Sequence, residues 1–185
     1  MPVTTMMQRL ALMGGALLLC PLPLAADTFI APPVEVLEYG VICDYRPQGQ
    51  EIEAPDTNAG RIRQGGDPIV FDLLTDQVPG VLGVAFGISF QPSADLGDVA
   101  VRMVTHHPSF GTGFRTSESW PSTITGGSGS SRYFYFEFDY ELAPGPWVME
   151  VWLEDQLIVR QDFNVVSGEA AKEILRACPT DNLTS

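Results

Sequence analysis

The side chains with the most obvious latent chemistry are His106 and His107, the two histidines of the chain. Imidazole binds copper and zinc, and Met103 just upstream adds a soft thioether, so copper is the metal this stretch would hold. Adjacent residues of an extended strand point to opposite faces, however, and a metal site draws on three or four ligands where none follow here at fixed spacing. His106 and His107 therefore read first as a strand end with solvated imidazoles, with a metal carrier as the second functional reading. No cofactor is expected.

Catalytic constellations are fainter still. Gly126-Gly127-Ser128-Gly129-Ser130 sets a serine among glycines, but a serine stands where a nucleophile elbow closes on glycine, and no strand runs sharply into a helix there. A flexible loop explains it better. Glu137, Asp139 and Glu141 alternate with aromatic residues and read as the wet side of a strand rather than as paired carboxylates. Asp95-Leu96-Gly97-Asp98 lacks the alternating acids and distal glutamate of a calcium loop and reads as a turn. No residue is assigned a catalytic role, and the expectation is a non-enzymatic binding or scaffolding domain.

Aromatic residues offer more. Tyr133 and Tyr135 share the outward face of one strand, Trp152 points outward on the next, and Trp120 and Phe114 lie in the long loop before them. Should they converge, they form a platform for a saccharide, a peptide or a partner protein. In the competing reading the loop folds over that face and buries them, since soluble proteins leave few large apolar patches open.

The elements that must carry these residues are short and alternate with a period of two, separated by Gly, Pro, Ser and Asp clusters, the pattern of an all-β sandwich or barrel. Strands are expected at Val34 to Tyr45, Ile69 to Leu74, Val81 to Gln91 and Asp98 to Thr105, with a polar loop or irregular edge from 46 to 68. From His106 to Arg132 the periodicity fails, and we expect a long mobile loop enclosing one short strand. The clearest strand follows, with Phe134, Phe136, Phe138, Tyr140 and Leu142 inward. A hairpin then has Trp147, Met149, Val151 and Leu153 inward on one arm and Leu157, Val159, Phe163 and Val165 on the other. Ser167 is placed to cap a short helix over about 168–178, in which Ala171, Ile174, Leu175 and Cys178 recur at steps of three and four.

The segment Thr75-Asp76-Gln77-Val78-Pro79-Gly80 running into Gly83-Val84-Ala85-Phe86-Gly87, the His107-Pro108 pair, and Glu141-Leu142-Ala143-Pro144-Gly145-Pro146-Trp147 resemble the bacterial family catalogued as domain of unknown function 3859, as does Tyr39-Gly40. The likeness extends from about Val34 to Val166 and implies an immunoglobulin-like sandwich, here of about 7–8 strands with a short C-terminal helix. It implies no catalytic residue.

The chain opens with Arg9, the apolar run Leu10 to Leu19, Pro21 and Pro23, and Leu24-Ala25-Ala26, which reads as a signal peptide over 1–26 cleaved before Asp27. The mature region, 27–185, is the size of one domain with its core over about 34–166. The leader holds one cation and no acid, so its removal takes the formal charge from −13 to −14. Such a surface repels phosphate backbones and anionic lipids, which argues against nucleic-acid or membrane partners and leaves a protein or a saccharide. Cleavage also removes Cys20, and the remaining pair, Cys43 and Cys178, reads as one disulfide in an oxidising compartment, periplasmic or extracellular. Simple burial of two free cysteines is the plainer alternative.

Overall fold

Alternation in the sequence becomes a two-layer structure in which every second side chain of the longer strands is withdrawn from water. The computed structural model describes residues 27–179. In chain order the strands are β1 (Thr28–Ile30), β2 (Val34–Ile42), β3 (Gln50–Glu53), β4 (Arg61–Gln64), β5 (Gln77–Pro79) and β6 (Ala85–Pro92). There follow β7 (Asp98–His106), β8 (Ser117–Thr125), β9 (Ser130–Tyr135), β10 (Gly145–Leu153), β11 (Gln156–Val166) and the helix α1 (Gly168–Leu175). One sheet has the order β1-β11-β10-β7-β8, with β5 added in parallel to β11; the other has the order β2-β6-β9. The pair β3–β4 forms a separate antiparallel hairpin.

The chain is thus a β-sandwich, and its strand order is that of the immunoglobulin arrangement: a four-strand row β11-β10-β7-β8 faces β2-β6-β9, with an early short strand running parallel to the last. Eleven strands exceed the seven or eight expected because β1, β3, β4 and β5 are short additions that carry little periodicity to read. The core lies between the layers. Phe86, Ile88 and Phe90 from β6 meet Trp147, Met149 and Val151 from β10 and Phe163 and Val165 from β11. At its centre the fully buried indole of Trp147 packs against Phe86, Phe134 and Phe136 at centroid distances of 5.5, 4.8 and 5.9 Å, and its N–H donates to the Ala143 carbonyl at 3.1 Å. An indole can be buried this deeply only because its one polar atom finds that partner.

Four expectations need correction. Between His106 and Arg132 the chain forms β8, nine residues in unbroken antiparallel register with β7. Its polar composition and Pro121 hid it, and both are tolerated because β8 is an edge strand. The strand expected to run to Leu142 stops at Tyr135. Beyond it the Glu141 carboxylate accepts hydrogen bonds from the backbone N–H groups of Glu137 (2.7 Å) and Phe138 (2.9 Å), pinning a short 3₁₀ turn at Asp139–Glu141, so Glu141 is buried rather than wet. Ile69 to Leu74 makes only an isolated bridge, Leu73 to Val41, with Val70 and Leu74 exposed. Ser167 stands at the N-cap position of α1 without a capping side-chain bond.

A disulfide joins Cys43, just past β2, to Cys178, just past α1. Their sequence separation of 135 makes a long closed loop, for which chain entropy alone gives stabilisation of about 5 kcal/mol. The expected signal peptide, 1–26, lies outside the described residues.

Gly87 controls how closely the β2-β6-β9 sheet can draw together. It pairs with Gly40 on one side and Tyr133 on the other, and a Cβ there would collide with the Arg132 carbonyl oxygen and the Tyr133 backbone. Gly87→Ala should cost about 1–3 kcal/mol as an overpacking change, whereas Val36→Ala at an exposed position should stay within about 0.5 kcal/mol. Urea denaturation of both variants checks this, and equal midpoints would contradict it.

Candidate functional site

Glu118 sits on β8 directly across from Thr105 of β7, with both side chains turned in from solvent. A carboxylate in this position needs donors, and it has them. The Asn58 backbone N–H donates to Oε2 at 2.9 Å, the Asn58 amide donates to Oε1 at 3.1 Å, and His107 Nε2 lies 3.0 Å from Oε1. Burial acts to raise the carboxyl, but these bonds and the His107 charge outweigh it and hold Glu118 below the usual carboxylate range. Asn58 belongs to the turn joining β3 to β4, so Glu118 ties that hairpin to the sandwich. Asn58 also reaches the Arg115 carbonyl, and Ser119 N–H donates to the Asp56 carbonyl at 3.3 Å.

The two histidines part company. His106 ends β7 and stands 3.4 Å from Glu150 on the outer face of its sheet. His107 turns inward with no exposed side chain, stacked on Phe110 at 3.9 Å and beside Trp147 at 4.9 Å. Its Nδ1 lies 2.8 Å from the Pro108 carbonyl, so both ring nitrogens face acceptors. The solvated imidazole expected at position 107 is therefore a buried one, enclosed because Phe110 covers it. Among the described residues no three side chains of His, Cys, Asp or Glu gather at one point.

Along the open side of the sandwich, between the edges of β8 and β9, runs a groove of about 1010 Å³ flanked by the β3–β4 hairpin. Thr105, Glu118 and Trp120 line it from one sheet, Arg132, Tyr133 and Tyr135 from β9, and Tyr45, Arg61 and Arg63 from the segment between β2 and β5. Tyr45 packs on Tyr133 and Tyr135 at 4.8 and 5.4 Å. Burial and the Tyr45 contact raise the Tyr133 phenol well above its ordinary value, so it stays a neutral donor.

Of the five aromatic residues considered for a binding face, Tyr133, Tyr135 and Trp120 line this groove, whereas Phe114 lies outside it, stacked on Tyr140 at 4.7 Å. Trp152 is outside it too: it lies on the outer face of the larger sheet, donating to Glu150 at 2.8 Å with the Arg102 guanidinium 5.4 Å from its ring. Trp120 is turned inward beside Met103, not displayed with the tyrosines. The guanidinium of Arg132 lies 4.1 Å from the Trp120 ring centroid. Arg132 is 3% exposed, its Nε and Nη1 have no hydrogen-bond partner, and burial brings it down to about 9 against the opposing pull of Glu118. Sequence reasoning missed it, yet a signal was present. Arg132 is in phase with Phe134 and Phe136, so a strand that buries those rings buries this cation with them.

The fold and groove define a class, an immunoglobulin-type β-sandwich with one open side flanked by an inserted hairpin. The chain belongs to the family described as domain of unknown function (DUF3859), which matches residues 31–165. No curated protein matches. Among solved structures it is similar to an immunoglobulin-like protein from Pseudomonas aeruginosa, with 20% identity and a TM-score of 0.46 over 76% of this chain and 97% of that one. A β-glucosidase from Kluyveromyces marxianus is also similar, with 16% identity and a TM-score of 0.27 over 45% of this chain and 12% of that one.

The direction of the Glu118 shift fixes a pH dependence. A carboxyl held lower in the folded state than its unfolded value of about 4.3 stabilises fully above that value and loses its contribution as pH falls toward the lowered one. Glu118→Gln should lose about 1–3 kcal/mol at pH 7 and show a shallower fall in stability between about pH 5 and 3 than the parent. Urea titrations across that range measure it, and parallel acid slopes would contradict the assignment.

Proposed function

We propose that this domain is an exported, non-enzymatic binding module that accepts an extended segment of another protein along the groove between β8 and β9. Export is supported by the leader-like N-terminus and the disulfide, and no helix among the described residues is long and apolar enough to cross a membrane.

The observation that carries the binding mode is the edge of β9. It is the last strand of its sheet, paired with β6 on one side only. Phe136 directs its N–H and carbonyl toward Val84 and Gly83, so by alternation Arg132 and Phe134 also face β6, while Ser131, Tyr133 and Tyr135 turn their backbone groups to the open side. A row of unpaired backbone donors and acceptors beside a groove is what strand addition uses. An added strand would set alternate side chains against the Tyr45, Tyr133 and Tyr135 cluster on one face and toward Trp120 on the other. The remaining cover is polar: Arg61 bridges the hairpin to Glu137 at 3.7 Å between two exposed side chains, a pair worth little in stability.

The test is selection of a random displayed peptide library on the mature domain, with binding sites mapped by amide chemical shifts. Enriched peptides should shift the amides of Ser131, Tyr133 and Tyr135, and Ser131→Pro, which removes an edge N–H, should weaken them by about tenfold or more. Peptides that map elsewhere, or a saccharide panel that binds the tyrosine cluster where peptides do not, would overturn the proposal.

A further inference from the structure

We infer that the inner wall of the groove recognises a carboxylate on its occupant, through Arg132; this rests on the groove being the binding site.

A guanidinium carries five N–H donors and a permanent charge, and withdrawing it from water is costly unless it is paired. Arg132 is withdrawn and not paired. Among the described residues it forms no salt bridge, and its Nε and Nη1 lie out of solvent contact without an acceptor. The carboxylate placed to neutralise it, Glu118, is already committed to His107 and to both nitrogens of Asn58. The guanidinium sits over the Trp120 ring at 4.1 Å, a contact that with its burial restrains it from swinging to the surface. Thr105, which lines the same groove from β7 of the facing sheet, keeps another buried polar atom, Oγ1, without a partner.

Two unsatisfied donors of one buried cation, with a third unpaired polar atom lining the same groove, call for acceptor oxygens from outside the chain. A carboxylate supplies two, carries the charge that Arg132 lacks opposite it, and gives the strong form of the bond. A neutral amide or hydroxyl supplies acceptors without that charge. Since the donors are shielded, the incoming group displaces side chains at that end of the groove, and the wet contacts of the β3–β4 hairpin are the ones that yield. On a strand added to β9, a side chain facing inward is the one directed toward this wall, so the favoured occupant has an acidic residue there.

Two arms test this on the intact mature protein. In the first, benzoate and benzamide are titrated while the Arg132 Nε–H and Trp120 indole resonances are followed. Benzoate should shift both saturably at millimolar concentration, benzamide should bind at least about tenfold more weakly, and Arg132→Met, which removes the charge, should abolish the difference, read on the Trp120 indole. Should that variant fail to fold, the benzoate and benzamide comparison on the parent decides alone. Benzoate that leaves Arg132 unmoved, or benzamide that binds as well, overturns the inference.

In the second arm a groove-binding peptide is compared with its Glu→Gln or Asp→Asn counterpart. A preference for the acid of about tenfold is expected. Peptides that pair with β9 regardless of charge would end the carboxylate assignment and leave the binding module standing; benzoate bound at Arg132 with no peptide on β9 would do the reverse.

Discussion

Glu118 is where the inside and the outside of this domain meet. Its carboxylate takes hydrogen bonds from the β3–β4 turn through Asn58 and from His107, whose ring is pressed between Phe110 and the central indole of Trp147. One acidic side chain thereby registers the inserted hairpin against the hydrophobic core. The same commitment leaves Arg132 without a partner beside it. A carboxylate shared with Arg132 would make the groove electrostatically quiet. Because its oxygens are held elsewhere, the groove keeps a buried cation that feels the Glu118 charge but has no hydrogen-bonded partner at Nε or Nη1.

The division of labour between sheets follows from the core. Trp147, Phe86, Phe136 and Phe163 lock the sandwich over most of its width, and the disulfide fastens the start of the polar insertion to the C-terminal helix. At the β8 and β9 edges the packing changes character. The interior there holds Met103, Trp120, Thr105, Glu118 and Arg132, a mixture that closes less completely than aromatic and branched side chains do. An open side in a sandwich leaves strand edges exposed, and this chain manages one of them with a hairpin held by polar ties.

Much of the sandwich was legible because burial on one face imposes a period of two. The closing hairpin, β7 and the inward rings of Phe134 and Phe136 announce themselves that way, whereas β6 stands out as an apolar run broken by glycines. What was not legible has physical causes. β8 is an edge strand with polar residues and a proline, so its sequence resembles a loop; β9 ends early because Glu141, four residues downstream of Glu137, captures the backbone groups that a longer ladder would have used. The tyrosines could be named from alternation and Trp120 only as an aromatic residue of an expected loop, but not Tyr45, which comes from a polar stretch, nor Asn58, whose role depends on a contact 60 residues away. Trp152 was placed on the correct strand and the outward side, yet that side belongs to the other sheet. Only assembly of the two layers separates an outward residue near the groove from one far from it.

Glu118 is spent on His107 and Asn58, and Arg132 Nε and Nη1 are left without an acceptor from the chain. A crystal structure of the mature domain at high enough resolution to place bound solvent tests it most directly. Expected are the Glu118 carboxylate on His107 and Asn58, the Arg132 guanidinium over the Trp120 ring, and any acceptor at its Nε or Nη1 contributed by a bound ligand or water. Glu118 turned onto Arg132 in a direct ion pair, with Asn58 and His107 bonded elsewhere, would contradict it.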